Sequence, residues 1–166
     1  MKKSKGFTLI ELLVTLAIMG ILAIAAVTSF SGTNLKKAVE SEARTLNADI
    51  LSVQAQAMDA GKYYDGARFP YRAVRIYHSK YEIVEIEALS FVVISSHIFG
   101  NTVVADVTEP LSYDITFKSD GTYYGALGHT TMLHVSGKSL PADKPYFKYV
   151  IIDSVGRVRI DNDPPP

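Results

Sequence analysis

The chain has 166 residues, 48% of them hydrophobic, with 17 basic against 17 acidic side chains. That length holds one domain plus an appended segment, and a formal net charge of zero excludes a global basic field for nucleic acid. Cysteine is absent, so disulfides are excluded and the fold must be held by its core.

At the amino terminus Lys2, Lys3 and Lys5 precede Gly6, and apolar sequence then runs from Phe7 to Phe30 with Glu11 as its one charged residue. As a helix rising about 1.5 Å per residue, this stretch is roughly 36 Å long, enough to cross a hydrocarbon core of about 30 Å. Three lysines before it and none until Lys36 predict a cytoplasmic amino terminus. The expected localisation is the inner (cytoplasmic) membrane, single-pass, with the rest of the chain outside the cytoplasm. Ala23-Ile24-Ala25 offers an A-x-A cut for an ordinary secretory signal. The apolar stretch is longer than such signals use, however, and Glu11 would have no purpose in a discarded one. A carboxylate inside a spanning helix costs a few kcal/mol and normally survives because something pairs with it.

Lys5-Gly6-Phe7-Thr8-Leu9-Ile10-Glu11-Leu12-Leu13-Val14 resembles, position for position, the class III signal of type IV pilins and type II secretion pseudopilins. The resemblance implies cleavage by a prepilin peptidase between Gly6 and Phe7 and N-methylation of Phe7. It further implies that Glu11 acts in assembly. Cutting after Gly6 leaves an amine four residues before Glu11, on the same helix face. When subunits stack, the glutamate of one can neutralise the amine of its neighbour, since a buried pair is tolerable where a lone buried charge is not. Removing residues 1–6 leaves 14 basic against 17 acidic side chains. The lack of cysteine departs from the many major pilins that close a carboxyl-terminal disulfide loop, and points to a minor subunit.

Leu35, Val39, Ala43, Leu46, Ile50, Val53 and Ala57 recur in steps of three and four, which predicts that the helix continues amphipathically. It is expected to loosen at Gly32-Thr33-Asn34 and to be capped by Gly61. Alternation then predicts a hairpin of 73–77 and 81–86, strands at 91–95, 102–107, 113–118, 122–124 and 131–135, and a last hairpin of 146–153 and 157–160. Ser119-Asp120-Gly121 is a turn. Glu82, Glu85 and Glu87 read as a solvent face. The expected fold class is α+β and pilin-like: a long helix packed on an antiparallel sheet. Its divisions are a leader at 1–6, a membrane and assembly helix at 7–30, an amphipathic continuation at 31–60 and a β-rich head at 61–166.

Phe117-Lys118-Ser119-Asp120-Gly121 together with Val155-Gly156-Arg157-Val158-Arg159 resembles the H-type minor pseudopilins and FimT-like minor pilins, the GspH/FimT family. This implies a structural subunit of a type II secretion pseudopilus or a type IV pilus. Its partners would be the prepilin peptidase, other pilins and an inner-membrane assembly platform. In FimT-like pilins a G-R-x-R turn is associated with DNA capture during transformation, so Arg157 and Arg159 are candidate DNA-binding residues. Two apart on a strand, they share a face and could grip a phosphate. The bland reading is a hairpin whose glycine turns and whose arginines lie exposed. From Lys144 onward four basic residues meet three acidic ones, Asp153, Asp161 and Asp163, a poor density of cations for phosphate neutralisation.

No catalytic constellation is visible: there is no G-x-S-x-G elbow, P-loop or H-E-x-x-H. His78, His97, His129 and His134 lack ligand spacing and read as exposed or loop residues. Asp161-Asn162-Asp163 lacks the oxygen spacing of a calcium loop. Neither an enzyme, a metal nor a cofactor is expected.

Overall fold

A computed structural model describes residues 7–61, 71–87, 90–100, 102–107, 111–125, 127–138 and 142–164, and only the backbone element of residues 25–31, 60, 61, 71 and 87. The leader 1–6, with Gly6, lies outside the described residues. One helix, α1 (Leu9–Gly61), is followed by β1 (Tyr71–Ile76), β2 (Lys80–Glu87), β3 (Ser90–Ile98), β4 (Val103–Ala105), β5 (Tyr113–Thr116) and β6 (His129–Val135). A 3-10 turn at Lys144–Tyr146 leads into β7 (Phe147–Ile152) and β8 (Val158–Asp161). The fold is α+β, a long amino-terminal helix followed by antiparallel sheet.

The chain forms two compact units, Met1–Asn34 and Leu35–Pro166, and α1 contributes to both. In the first unit every described side chain from Phe7 to Ile24 is exposed. The apolar residues there point in all directions, a pattern that suits a helix enclosed on every side. Among the described residues no helix is long and apolar enough to cross a membrane. The expected spanning stretch 7–30 reaches into residues 25–30, whose side chains lie outside the description.

In the second unit the predicted stripe faces inward. Val39, Ala43, Leu46, Ile50 and Val53 are all essentially inaccessible to solvent. Each large aliphatic side chain buried this way stabilises the fold by about 1.5–3 kcal/mol. The stripe packs on one core shared by Val74, Ile76, Tyr81 and Ile115 and by Leu133, Val135, Val150 and Ile152. These strand residues come from two four-stranded antiparallel sheets, ordered β3-β2-β1-β5 and β4-β6-β7-β8. The expected antiparallel sheet is divided between these two. β7 is covered on both faces: Val150 and Ile152 join the main core, while Phe147, Tyr149 and Ile151 form a second cluster with Met132 and Tyr146.

Other differences are local. α1 runs unbroken through Gly32-Thr33-Asn34 and includes Gly61 instead of being capped by it. The 122–124 segment makes an isolated bridge, Phe117 to Tyr123, after a turn closed by Asp120, whose Oδ1 accepts from the Thr122 amide and hydroxyl at 2.9 and 2.6 Å. Arg157 lies in a turn, one residue before β8 begins. Glu82 is buried, not on a solvent face. It accepts hydrogen bonds from Lys80 at 2.6 Å and from the Tyr77 hydroxyl at 3.2 Å, partners that offset the loss of water around a buried carboxylate. Glu85 is paired with Arg72 at 3.2 Å, and the side chain of Glu87 lies outside the described residues.

Candidate functional site

The first candidate site is the start of α1. Thr8 precedes the helix, and Glu11 lies three residues on, in the T-x-x-E spacing of a capping box. The geometry is reciprocal: the Glu11 amide donates to Thr8 Oγ1 at 3.3 Å, and the Thr8 amide and hydroxyl donate to Glu11 Oε2 at 3.3 and 3.2 Å. Amide groups at a helix start lack intrahelical acceptors, and a carboxylate there also complements the helix dipole. Glu11 therefore already has partners within its own chain. Phe7 beside it is 81% exposed, and Leu9, Ile10, Leu12 and Leu13 are exposed with it. Gly6, the other half of the expected cleavage site, is outside the described residues.

The second candidate is the turn between β7 and β8. Asp153 organises it: Oδ1 accepts from the Val155 and Arg157 amides at 3.1 and 2.8 Å, and Oδ2 pairs with Arg157 Nε at 2.9 Å. The Arg157 amide, with its guanidinium, holds the Asp153 carboxyl below the usual carboxylate range. Arg157 is thus exposed but already partnered. Arg159, on β8, is exposed and makes no ion pair among the described residues. The two arginines are brought near each other by sequence, with only one of them lacking an acid.

The glycines of the 119–121 and 154–156 turns have a structural reason. Gly121 and Gly156 both have positive φ, 83° and 86°, a region costly for residues with a Cβ. A Cβ on Gly156 would meet the Gly121 carbonyl oxygen at 2.1 Å. Gln54 on α1 ties the turns together, its amide nitrogen donating to the carbonyls of Gly121 at 2.6 Å and Gly156 at 2.7 Å. Beside this clamp lies an open groove of about 450 Å³ lined by Leu51, Met58, Asp120, Val155 and Arg157 among others. Two segments that look unrelated along the chain are therefore one packed feature. Nothing local in the sequence marks Gln54, whose partners are 67 and 102 residues away.

The histidines turn out to be packing residues. His97 Nε2 meets Glu42 Oε2 at 2.8 Å, linking β3 to α1, and its ring lies 5.0 Å from that of Tyr81. His78 Nδ1 lies 3.0 Å from the Ala105 carbonyl, and His134 stacks on Phe147 at 5.2 Å. His129 sits 4.3 Å from the Tyr113 ring, its Nε2 is buried without a hydrogen bond, and burial lowers its pKa. The same neighbourhood pushes the Tyr113 hydroxyl up to about 12, chiefly through burial. No group of side chains among the described residues could hold a metal ion.

Comparison with known proteins adds one positive finding. The family model described as the prokaryotic N-terminal methylation motif matches residues 1–27. Those residues carry a type IV pilin-like class III signal. No curated protein and no solved structure matches the chain.

Proposed function

We propose that the chain is a structural minor pilin or pseudopilin of the GspH/FimT type, a subunit of a type II secretion pseudopilus or a type IV pilus. Prepilin peptidase cuts between Gly6 and Phe7, and Phe7 is then methylated. Residues 7–30 hold the subunit in the inner membrane with the head at 61–166 outside the cytoplasm. The same stretch, continued by 31–60, carries assembly with other pilins at an inner-membrane platform.

The observation that supports this reading best is the methylation motif at 1–27 leading directly into a helix whose apolar side chains are exposed all round. Such a surface is stable only when lipid or neighbouring helices cover it. Glu11 fits both stages. As a monomer's residue it caps its own helix, and in a filament it can exchange those bonds for the methylated amine of a neighbour. The reading assigns no catalysis and no cofactor. The alternative, DNA capture through Arg157 and Arg159, is weakened because Asp153 already engages Arg157.

Mass spectrometry of the mature chain from membranes tests the reading. The expected product starts at N-methylated Phe7; an intact amino terminus, or one cut at Ala25, would sink it.

A further inference from the structure

The four sheet edges of the head differ in a way that the fold alone does not require. Exposed edges carry unpaired backbone groups that invite another strand, and natural proteins blunt them with short or charged strands. Three edges follow that rule. β4 has three residues, β5 four with Asp114 among them, and β8 four with Arg159 and Asp161. The remaining edge, β3, has nine residues, Ser90-Phe91-Val92-Val93-Ile94-Ser95-Ser96-His97-Ile98, and no Asp, Glu, Lys or Arg. It is the longest strand among the described residues, and its side chains are exposed on both faces apart from the half-buried His97. Phe91, Val92, Val93 and Ile94 are 45–55% exposed and Ile98 is 72% exposed.

We propose that β3 is an interaction edge that pairs antiparallel with β3 of a second copy of this chain. Among the described residues no strand pairs with the outer side of β3, and a row of backbone donors and acceptors is matched by an extended strand, which selects the kind of occupant. Charge, length and position together select which strand. β1, β2, β5, β7 and β8 each carry charged side chains, β6 is paired on both sides and β4 has only three residues, whereas β3 matches its own length and against itself places no like charges opposite each other. The one blunting device on β3 is a bulge opposite Ile83 and Val84, which leaves Ile94 without a partner on β2. Ser90–Val93 and Ser95–Ile98 flank it as regular stretches. The contact is two-fold and closed, so it joins two copies and stops. It is independent of the filament role: processing after Gly6 and pairing through β3 can each fail alone.

Because the chain lacks cysteine, an introduced thiol is the only one present. In the full chain in detergent, single cysteine variants at each β3 position from Ser90 to Ile98 are oxidised and compared with Ser119→Cys in the exposed turn. Directly opposed strand positions fall within disulfide reach. A covalent dimer at one or more β3 positions, at least about tenfold above Ser119→Cys, is the expected result. Adding Ile94→Lys/Ile98→Lys to a trapping variant whose cysteine is at another position should abolish the dimer while leaving the far-UV circular dichroism spectrum unchanged. Equal trapping at Ser119→Cys, no trapping along β3, or a dimer that survives the lysine pair would each overturn the proposal.

Discussion

The two halves of α1 are both rich in apolar residues and put them to opposite use. From Leu9 to Ile24 the apolar side chains point outward on every side and are exposed. From Leu35 to Ala57 they form a stripe that the chain itself covers, with Leu46 and Ile50 fully buried. Apolar content alone therefore does not say where a helix belongs. The angular distribution does, because a one-sided stripe can be satisfied by one sheet-lined core and an all-round surface needs a surrounding medium. Substitutions in the two halves should accordingly separate assembly from stability.

The largest effect is expected from Glu11→Gln, which keeps the capping-box geometry but removes the charge. Processed protein should accumulate while incorporation into sheared filaments falls to background, read by immunoblot; filaments at normal level would remove the charge from the assembly mechanism. Next, Leu46→Ala should destabilise the head by about 2–5 kcal/mol, whereas Leu16→Ala should leave the urea midpoint unchanged. Equal losses at the two sites would erase the distinction between the halves. Within the head, Gly156→Ala should cost about 1–3 kcal/mol through its backbone conformation, and Gln54→Ala a similar amount by orphaning two carbonyls; a double variant less damaging than the sum would show that they act as one feature.

A smaller effect concerns pH. His129 has its folded-state pKa lowered by burial, so the unfolded chain takes up its proton first as pH falls. The stabilisation is complete above the ordinary histidine value of about 6.5 and is lost as pH drops below it. Urea midpoints between pH 7.5 and 5.5 should decline in the natural chain and decline less in His129→Phe. Smallest of all is the change expected in DNA binding on Arg157→Ala/Arg159→Ala at physiological salt. A clear loss in a gel-shift assay would revive the nucleic-acid reading.

Much of the fold was legible because its signals are local. The stripe of α1 and the 73–77/81–86 hairpin follow from spacing within a dozen residues, and β1 and β2 pair in the expected order. The T-x-x-E spacing of Thr8 and Glu11 is equally local, although the charge of Glu11 draws attention away from it. What the sequence conceals depends on distant contact. The division of the strands into two sheets, the burial of Glu82 and the clamp by Gln54 are decided by residues far apart along the chain. Arg157 is a boundary case: alternation places it on a strand, but Asp153 accepts its amide and holds it in the turn.

Gln54 ties the Gly121 and Gly156 turns together with two amide donations, where a sulfur bridge could otherwise do so. The head accordingly asks nothing of an oxidising compartment. It can reach its final form without a thiol oxidase or a disulfide isomerase, and added reductant should leave its unfolding midpoint where it was.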